Sequence, residues 1–214
     1  MASRSRSSIV FAGVGIGLVV VATVVGVLIA AGVLAEPNPL DSWWSAIATS
    51  MRSPVTVAIA LGFNVLGRGL VASLVVPVVL VVVMLVARRP ASALVLVLAL
   101  LGTWGVTRVL KSVVARDRPG DMLVDSDFGS FPSGHASNAA ALATVFVIAF
   151  RSLSVRVVAV LYVVAMIWSR TVLGAHWATD VVAGVLVGVG VALIAAALAA
   201  PLRRRERAGG RSRA

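Results

Sequence analysis

The sequence predicts an all-α integral membrane protein with six transmembrane helices and short interfacial helices between the first and second spans. Three observations carry that expectation. Of the 214 residues, 60% are hydrophobic and 13% are charged, which is more apolar sequence than a water-soluble domain of this size carries. The apolar residues run in long stretches rather than stripes: residues 9–35 and 70–87 hold no charged side chain, and each reaches the roughly 18 apolar residues that mark a membrane span. Charge is also sorted. Arg4, Arg6, Arg88, Arg89, Arg151, Arg156 and the arginines from Arg203 to Arg213 fall on one side of the spans placed below, and the acidic residues other than Glu206 fall on the other. A net charge of +11 distributed in this way is the positive-inside pattern of a multi-pass protein of the plasma membrane, with both termini cytoplasmic. It is not the basic groove of a nucleic-acid binder.

The elements follow in order. A basic N-terminus, residues 1–8, precedes the first span, 9–35. That apolar run is about twice the roughly 7–15 residues of a signal-peptide core and no A-x-A site closes it, so it reads as a retained span. Residues 36–69 form an outer interfacial segment. Within it Pro54 interrupts 41–68, and Val55 to Leu66 is too short to cross a bilayer at about 1.5 Å per residue. Counting this segment as a span would also invert everything downstream and place Arg88 and Arg89 outside. Two short helices anchored by Trp43 and Trp44 at the outer interface satisfy both constraints. The second span, 70–87, and the third, 91–110, are joined by the tight cytoplasmic hairpin Arg88-Arg89-Pro90. Spans at 132–150, 156–173 and 177–200 complete a five-helix core over residues 70–202. Residues 203–214 read as a disordered basic cytoplasmic tail drawn to anionic headgroups. The chain has no cysteine, which removes disulfides, thiolate nucleophiles and cysteine metal sites.

With the spans placed, polar residues gather in three clusters on the outer side. The sharpest is Ser169-Arg170, five residues, His176, three residues, Asp180. On a helix His176 and Asp180 share a face and can hydrogen-bond. A carboxylate on one imidazole nitrogen sets the tautomer and leaves the other nitrogen as a basic nucleophile; a structural pair capping the sixth helix is the alternative. In the cluster Phe131-Pro132-Ser133-Gly134-His135, Pro132 suits a first helical turn. The amides near Ser133 and Gly134 suit an anion, and His135 could protonate a leaving oxygen; the alternative is an ordinary cap beside an interfacial histidine. The cluster that comes first along the chain, Lys111 to Pro119, supplies cations; Phe131 to His135 is the second and Ser169 to Asp180 the third. Lys111 and Arg118, joined by Arg170, could surround a phosphoryl group. Arg108 and Arg116 read as side chains that snorkel to headgroups.

The pattern Lys111-x6-Arg118-Pro119, Pro132-Ser133-Gly134-His135, Ser169-Arg170-x5-His176-x3-Asp180 resembles the type 2 phosphatidic acid phosphatase (lipid phosphate phosphatase) superfamily, in the form of a bacterial membrane member. The resemblance implies that His176, held by Asp180, attacks phosphorus to give a phosphohistidine. His135 then serves as acid and base. Lys111, Arg118, Arg170, Ser133 and the Gly134 backbone bind the phosphoryl oxygens, Ser169 supports them, and neither metal nor cofactor is needed. It implies a lipid phosphate substrate met at the extracytoplasmic face of the bilayer: a polyprenyl diphosphate, phosphatidic acid or phosphatidylglycerol phosphate. Soluble vanadate-dependent halide oxidases use a similar constellation, but the long apolar spans argue against that class. A non-catalytic lipid transporter or scaffold that retains the phosphate site is the remaining alternative. Nothing in the sequence bears on oligomeric state.

Overall fold

A computed structural model describes residues 2–126 and 128–211. The side chains of Arg4, Arg204, Arg207 and Arg211, and all of Arg213, lie outside the described residues. The described chain is helical, with α1 Ala2–Ala30, α2 Pro39–Ser50, α3 Pro54–Leu66, a π-helical turn Val71–Val75 running into α4 Val76–Val86, α5 Pro90–Val114, α6 Gly134–Ala149, α7 Leu153–Val172, α8 Ala178–Leu198 and α9 Ala200–Arg211. Four helices are long and apolar enough to cross a membrane: Arg6–Ala30 of α1, α5, α7 and α8. A fifth crossing arises if α2 and α3, which meet at 117°, count as one broken span. The protein is therefore an all-helical, multi-pass membrane protein. Val71–Val86 and α6 are apolar but shorter.

The bend between α2 and α3 is written in the sequence. Ser53 caps α3 by accepting the Thr56 N–H, Pro54 occupies its first turn, and Thr56 returns a bond to the Ser53 backbone. That reciprocal cap starts a new helix in a new direction. At the other end of the chain the structure differs from expectation. Residues 203–211 continue as the helix α9, because Glu206 reaches back to the open N-terminus of α5, accepting from the Ala91 N–H at 2.7 Å and the Ser92 hydroxyl at 3.1 Å. The carboxylate satisfies amide groups that a helix start leaves without intrahelical partners.

The centre of the bundle is α8, with α1, α5 and α6 packed against it. Small residues make that approach possible. A Cβ on Gly188 would lie 2.1 Å from the Ser137 carbonyl, and one on Gly184 would lie 2.6 Å from the Ser133 carbonyl. On the opposite face Gly15 of α1 and Gly190 of α8 each admit the other's carbonyl within 2.7 Å of where a Cβ would sit. Apolar side chains gain little from leaving lipid, so close backbone contact of this kind is what holds membrane helices together. Because α6 lies so close on α8, their N-terminal ends meet: the Ser133 N–H donates to the Asp180 carbonyl at 3.0 Å. The second and third sequence clusters are thereby joined by backbone.

Candidate active site

Each sequence cluster is delivered by a helix end. α5 runs one turn past its expected limit, so Lys111 lies within its last turn rather than beyond it. Ala115, left-handed at φ 49°, then ends the helix. A left-handed residue after the last turn is an ordinary way to close a helix, although an alanine there costs about 1 kcal/mol more than glycine. The reversal carries residues 116–119 back over the ends of α6 and α8. For the second cluster, α6 begins at Gly134 with Ser133 as its N-cap, so Pro132 stands just outside the helix and not in its first turn. For the third, α7 ends at Val172 and α8 starts at Ala178. His176 therefore sits in the loop before α8, and Asp180 in the first turn of α8.

The three clusters converge. His176 is 4% exposed and Asp180 is fully buried. Nε2 of His176 lies 3.4 Å from an Arg118 guanidinium nitrogen, and its Nδ1 faces Asp180 Oδ2 at 3.5 Å. That second distance is a contact rather than the hydrogen bond expected for two residues on one helical face. The reason is local: His176 precedes the helix, and Asp180 Oδ2 is already taken by the Trp177 N–H at 2.9 Å. Arg118 also donates to the carbonyls of Ala175 at 2.6 Å and Gly129 at 2.8 Å. The ammonium of Lys111 bonds the same Gly129 carbonyl. Arg170, 1% exposed, donates to Asn64 Oδ1 at 2.6 Å. His135 Nε2 is 3.4 Å from the carbonyl of the same Asn64, which links Arg170 to this histidine. Ser133 is buried at the start of α6, with its hydroxyl accepting from the Ala136 N–H at 3.4 Å. Ser169 is buried and donates to the Met166 carbonyl of its own helix.

Burial, and then the cations Arg170, Arg118 and Lys111 in that order, hold the His176 imidazole well below its ordinary pKa. Both effects disfavour a charged ring. The ring is therefore neutral, and because a guanidinium can only donate, the Nε2 beside Arg118 is the nitrogen suited to carry the lone pair, as an approach to an anionic phosphorus centre requires.

Three residues with roles here were not singled out from the sequence. Arg116, expected to snorkel, is 3% exposed and bonds Asp180 Oδ1 at 2.7 Å and Asp41 Oδ2 at 2.6 Å. Two residues apart in a non-helical segment, Arg116 and Arg118 face the same structure, and that spacing was the available signal. Asp41 is fully buried, but its position three residues after Asn38 reads as a simple capping pair, which it also is. Asn64 is a polar side chain in the apolar helix α3, and such residues mark function when they occur at membrane depth. Arg108 is exposed, as expected.

Comparison with known proteins identifies the family and the fold. A sequence model of the PAP2 superfamily matches residues 92–204. Among solved structures, LpxE of Aquifex aeolicus is similar at TM-score 0.67 and 24% identity, over 76% of this chain and 98% of its own. A transmembrane PAP2-type phosphatidylglycerolphosphate phosphatase from Bacillus subtilis is similar at TM-score 0.65 and 26% identity, over 87% of this chain and 96% of its own. A search of curated proteins gives no match. The chain belongs to the PAP2 superfamily and is a membrane phosphatase, a hydrolase of phosphate esters.

Proposed function

We propose that the protein removes phosphate from a lipid phosphate or diphosphate at the extracytoplasmic face of the plasma membrane, through a phosphohistidine on His176. The observation that carries this reading is the convergence of Lys111, Arg118 and Arg170 at a buried His176, whose Nε2 lies beside Arg118 and whose Nδ1 faces Asp180. Nε2 of His176 attacks phosphorus in line, the P–O bond to the lipid breaks, and His135 gives its proton to the departing oxygen. Water then loses a proton to His135 and attacks the same phosphorus. The P–N bond breaks, inorganic phosphate leaves, and both histidines return to their starting states. The three cations stabilise charge on the equatorial oxygens, where positioning and electrostatics supply most of phosphoryl-transfer catalysis. Ser133 and the Gly134 backbone complete the phosphate site at the start of α6, with Ser169 in support.

A cavity lined by Gly67, Val76, Leu100, His135, Asn138, Leu142, Tyr162 and Met166 lies between α4, α5, α6 and α7. His135, Asn138 and Tyr162 stand among the apolar side chains of this lining, and the space holds about one water molecule; in this reading the lipid headgroup sits at the histidines and its tail stays in the bilayer. The six-span reading belongs here too. Val71–Val86 and α6 are 16-residue helices of about 24 Å, within reach of the roughly 30 Å hydrocarbon core once the flanking residues snorkel. The α2–α3 pair then stays at the outer face, where Arg52 bonds Asp121 at 2.7 Å and Thr49 bonds the same carboxylate. Phosphatidylglycerol phosphate, phosphatidic acid and a polyprenyl diphosphate all fit this description, and the similarity to the Bacillus subtilis enzyme favours testing the first. The test is phosphate release by purified protein from a panel of these lipids. Turnover of at least one is expected. Binding of lipid phosphates with no release from any would favour a transporter or scaffold instead.

A further inference from the structure

We propose that Asp41 of α2 is a positioning residue for Asp180, acting through Arg116, so that the outer hairpin preceding the family's matched segment forms part of the catalytic apparatus. This rests on the phosphohistidine reading, because it assigns Asp41 to aiming the carboxylate that supports His176. Asp41, Arg116 and Asp180 form a chain with essentially no water access: the side chains of all three are fully buried. The guanidinium of Arg116 spans the two carboxylates, with Nη2 on Asp41 Oδ2 at 2.6 Å and Nη1 on Asp180 Oδ1 at 2.7 Å.

The selection of oxygens is what separates aiming from simple neutralisation. Arg116 occupies Oδ1 of Asp180, and the Trp177 N–H approaches Oδ2, the oxygen that faces His176. With a donor on each oxygen the carboxylate cannot rotate about its Cβ–Cγ bond without losing one. Arg116 is itself held by Thr179, whose hydroxyl accepts from Nη1 at 2.7 Å and donates to Asp41 Oδ2 at 2.9 Å. Asp41 Oδ1 takes the Thr179 N–H at 2.8 Å, and Asn38 holds Oδ2 from the α2 side at 2.7 Å. The first turn of α8, and Asp180 with it, is thereby locked to α2. Glu36 also lies 3.6 Å from Arg116 Nε, so one guanidinium faces three carboxylates, two of them buried; that is poorly balanced as a purely structural device, since an isolated ion pair in such a place is often no better than apolar packing. The second carboxylate is accounted for if it sets the tautomer and aim of the neutral His176 beside it.

The experiment uses the purified full-length protein in detergent with dioctanoyl phosphatidic acid. Asp41→Asn is expected to lower kcat by about 10-fold, the order of loss that a misplaced catalytic group produces, with KM little changed. In an Asp180→Asn background the same substitution is expected to cause no further loss, because both act on one group. Arg116→Lys, which keeps the charge but not the two-pronged geometry, is expected to behave likewise and takes the place of Asp41→Asn if that variant does not fold. Asp125→Asn, an exposed acid on the same side, is expected to leave the rates unchanged. Losses that multiply in the double variant, or a change confined to KM, would overturn the proposal. A second readout does not depend on turnover: the imidazole 15N resonances of His176 are expected to shift in Asp41→Asn and not in Asp125→Asn. Unchanged His176 resonances in Asp41→Asn overturn the positioning role, whereas a wild-type protein that releases no phosphate from any lipid overturns the phosphatase reading.

Discussion

At the scale of single residues, the proposed mechanism turns on His176, and the environment of that side chain makes two properties measurable. Burial and the neighbouring cations lower its pKa well below the ordinary 6.5. Folded, the ring stays neutral; unfolded, it takes up a proton as the pH falls through about 6.5. The unfolded chain therefore binds more protons below that value, and stability is lost as pH drops. Melting temperature in detergent is expected to fall between pH 7.5 and 5.5, and to fall less in His176→Gln; an equal fall in both would contradict the assignment. Arg170, buried beside both histidines, is expected to cost at least about 100-fold in kcat/KM when changed to Met, the scale of losing a charge-stabilising donor. A loss below a few-fold, measured by phosphate release, would remove it from the site. Among the described residues no three His, Asp or Glu side chains gather as a metal site, so EDTA is expected to leave the rate unchanged. The core site residues were legible in the sequence because their spacing is the family's. Their geometry was less so: the four-residue interval suggested a helical His176–Asp180 hydrogen bond, whereas a chain turn places His176 ahead of the helix. Arg116 was misread because an arginine near a helix end is most often solvated, and only the fold brings Asp41 and Asp180 to either side of it.

At the scale of elements, the contact between α6 and α8 determines whether the site assembles. The Ser133 N–H to Asp180 carbonyl bond exists because Gly184 and Gly188 let the two helices touch backbone to backbone. Gly188→Ala places a Cβ against the Ser137 carbonyl, which lacks a flexible side chain's freedom to move aside. The expected cost is about 1–3 kcal/mol of stability, as for other overpacked contacts, with a parallel loss of activity as the start of α6 is pushed from α8. A Gly188→Ala protein with unchanged melting temperature and activity would show that the helices are not held at this distance. Gly17, with open space beside it, is the matched control. Helix existence and order were readable from apolar runs, prolines and caps. The ends were not, because they depend on tertiary partners: Glu206 on the α5 N-terminus converts an expected loose tail into α9, and packing over α8 extends α5 past Lys111.

At the scale of the whole molecule, the proposal of an outward-facing site rests on charge asymmetry and span count together. Four helices satisfy the length of a span without qualification, and the six-crossing arrangement depends on the two shorter ones and on the α2–α3 pair remaining outside. The chain lacks cysteine, so one introduced at exposed Ser126, in the loop between α5 and α6, reports orientation cleanly. Labelling by an impermeant maleimide from the periplasmic or external side is expected, and labelling only after the cytoplasmic side is opened would invert the topology. Membrane class was plain from composition, but the association of an outer hairpin with the catalytic end of α8 was not, since no local pattern encodes a contact between residues 41 and 116. The measurement that tests the central claim most directly is transfer of 32P from labelled lipid phosphate to the protein, followed by chemical quench. Label that is stable to base, lost in acid and absent from His176→Ala is the expected result. Turnover without such a label, or the same label in His176→Ala, would contradict a phosphohistidine at this position.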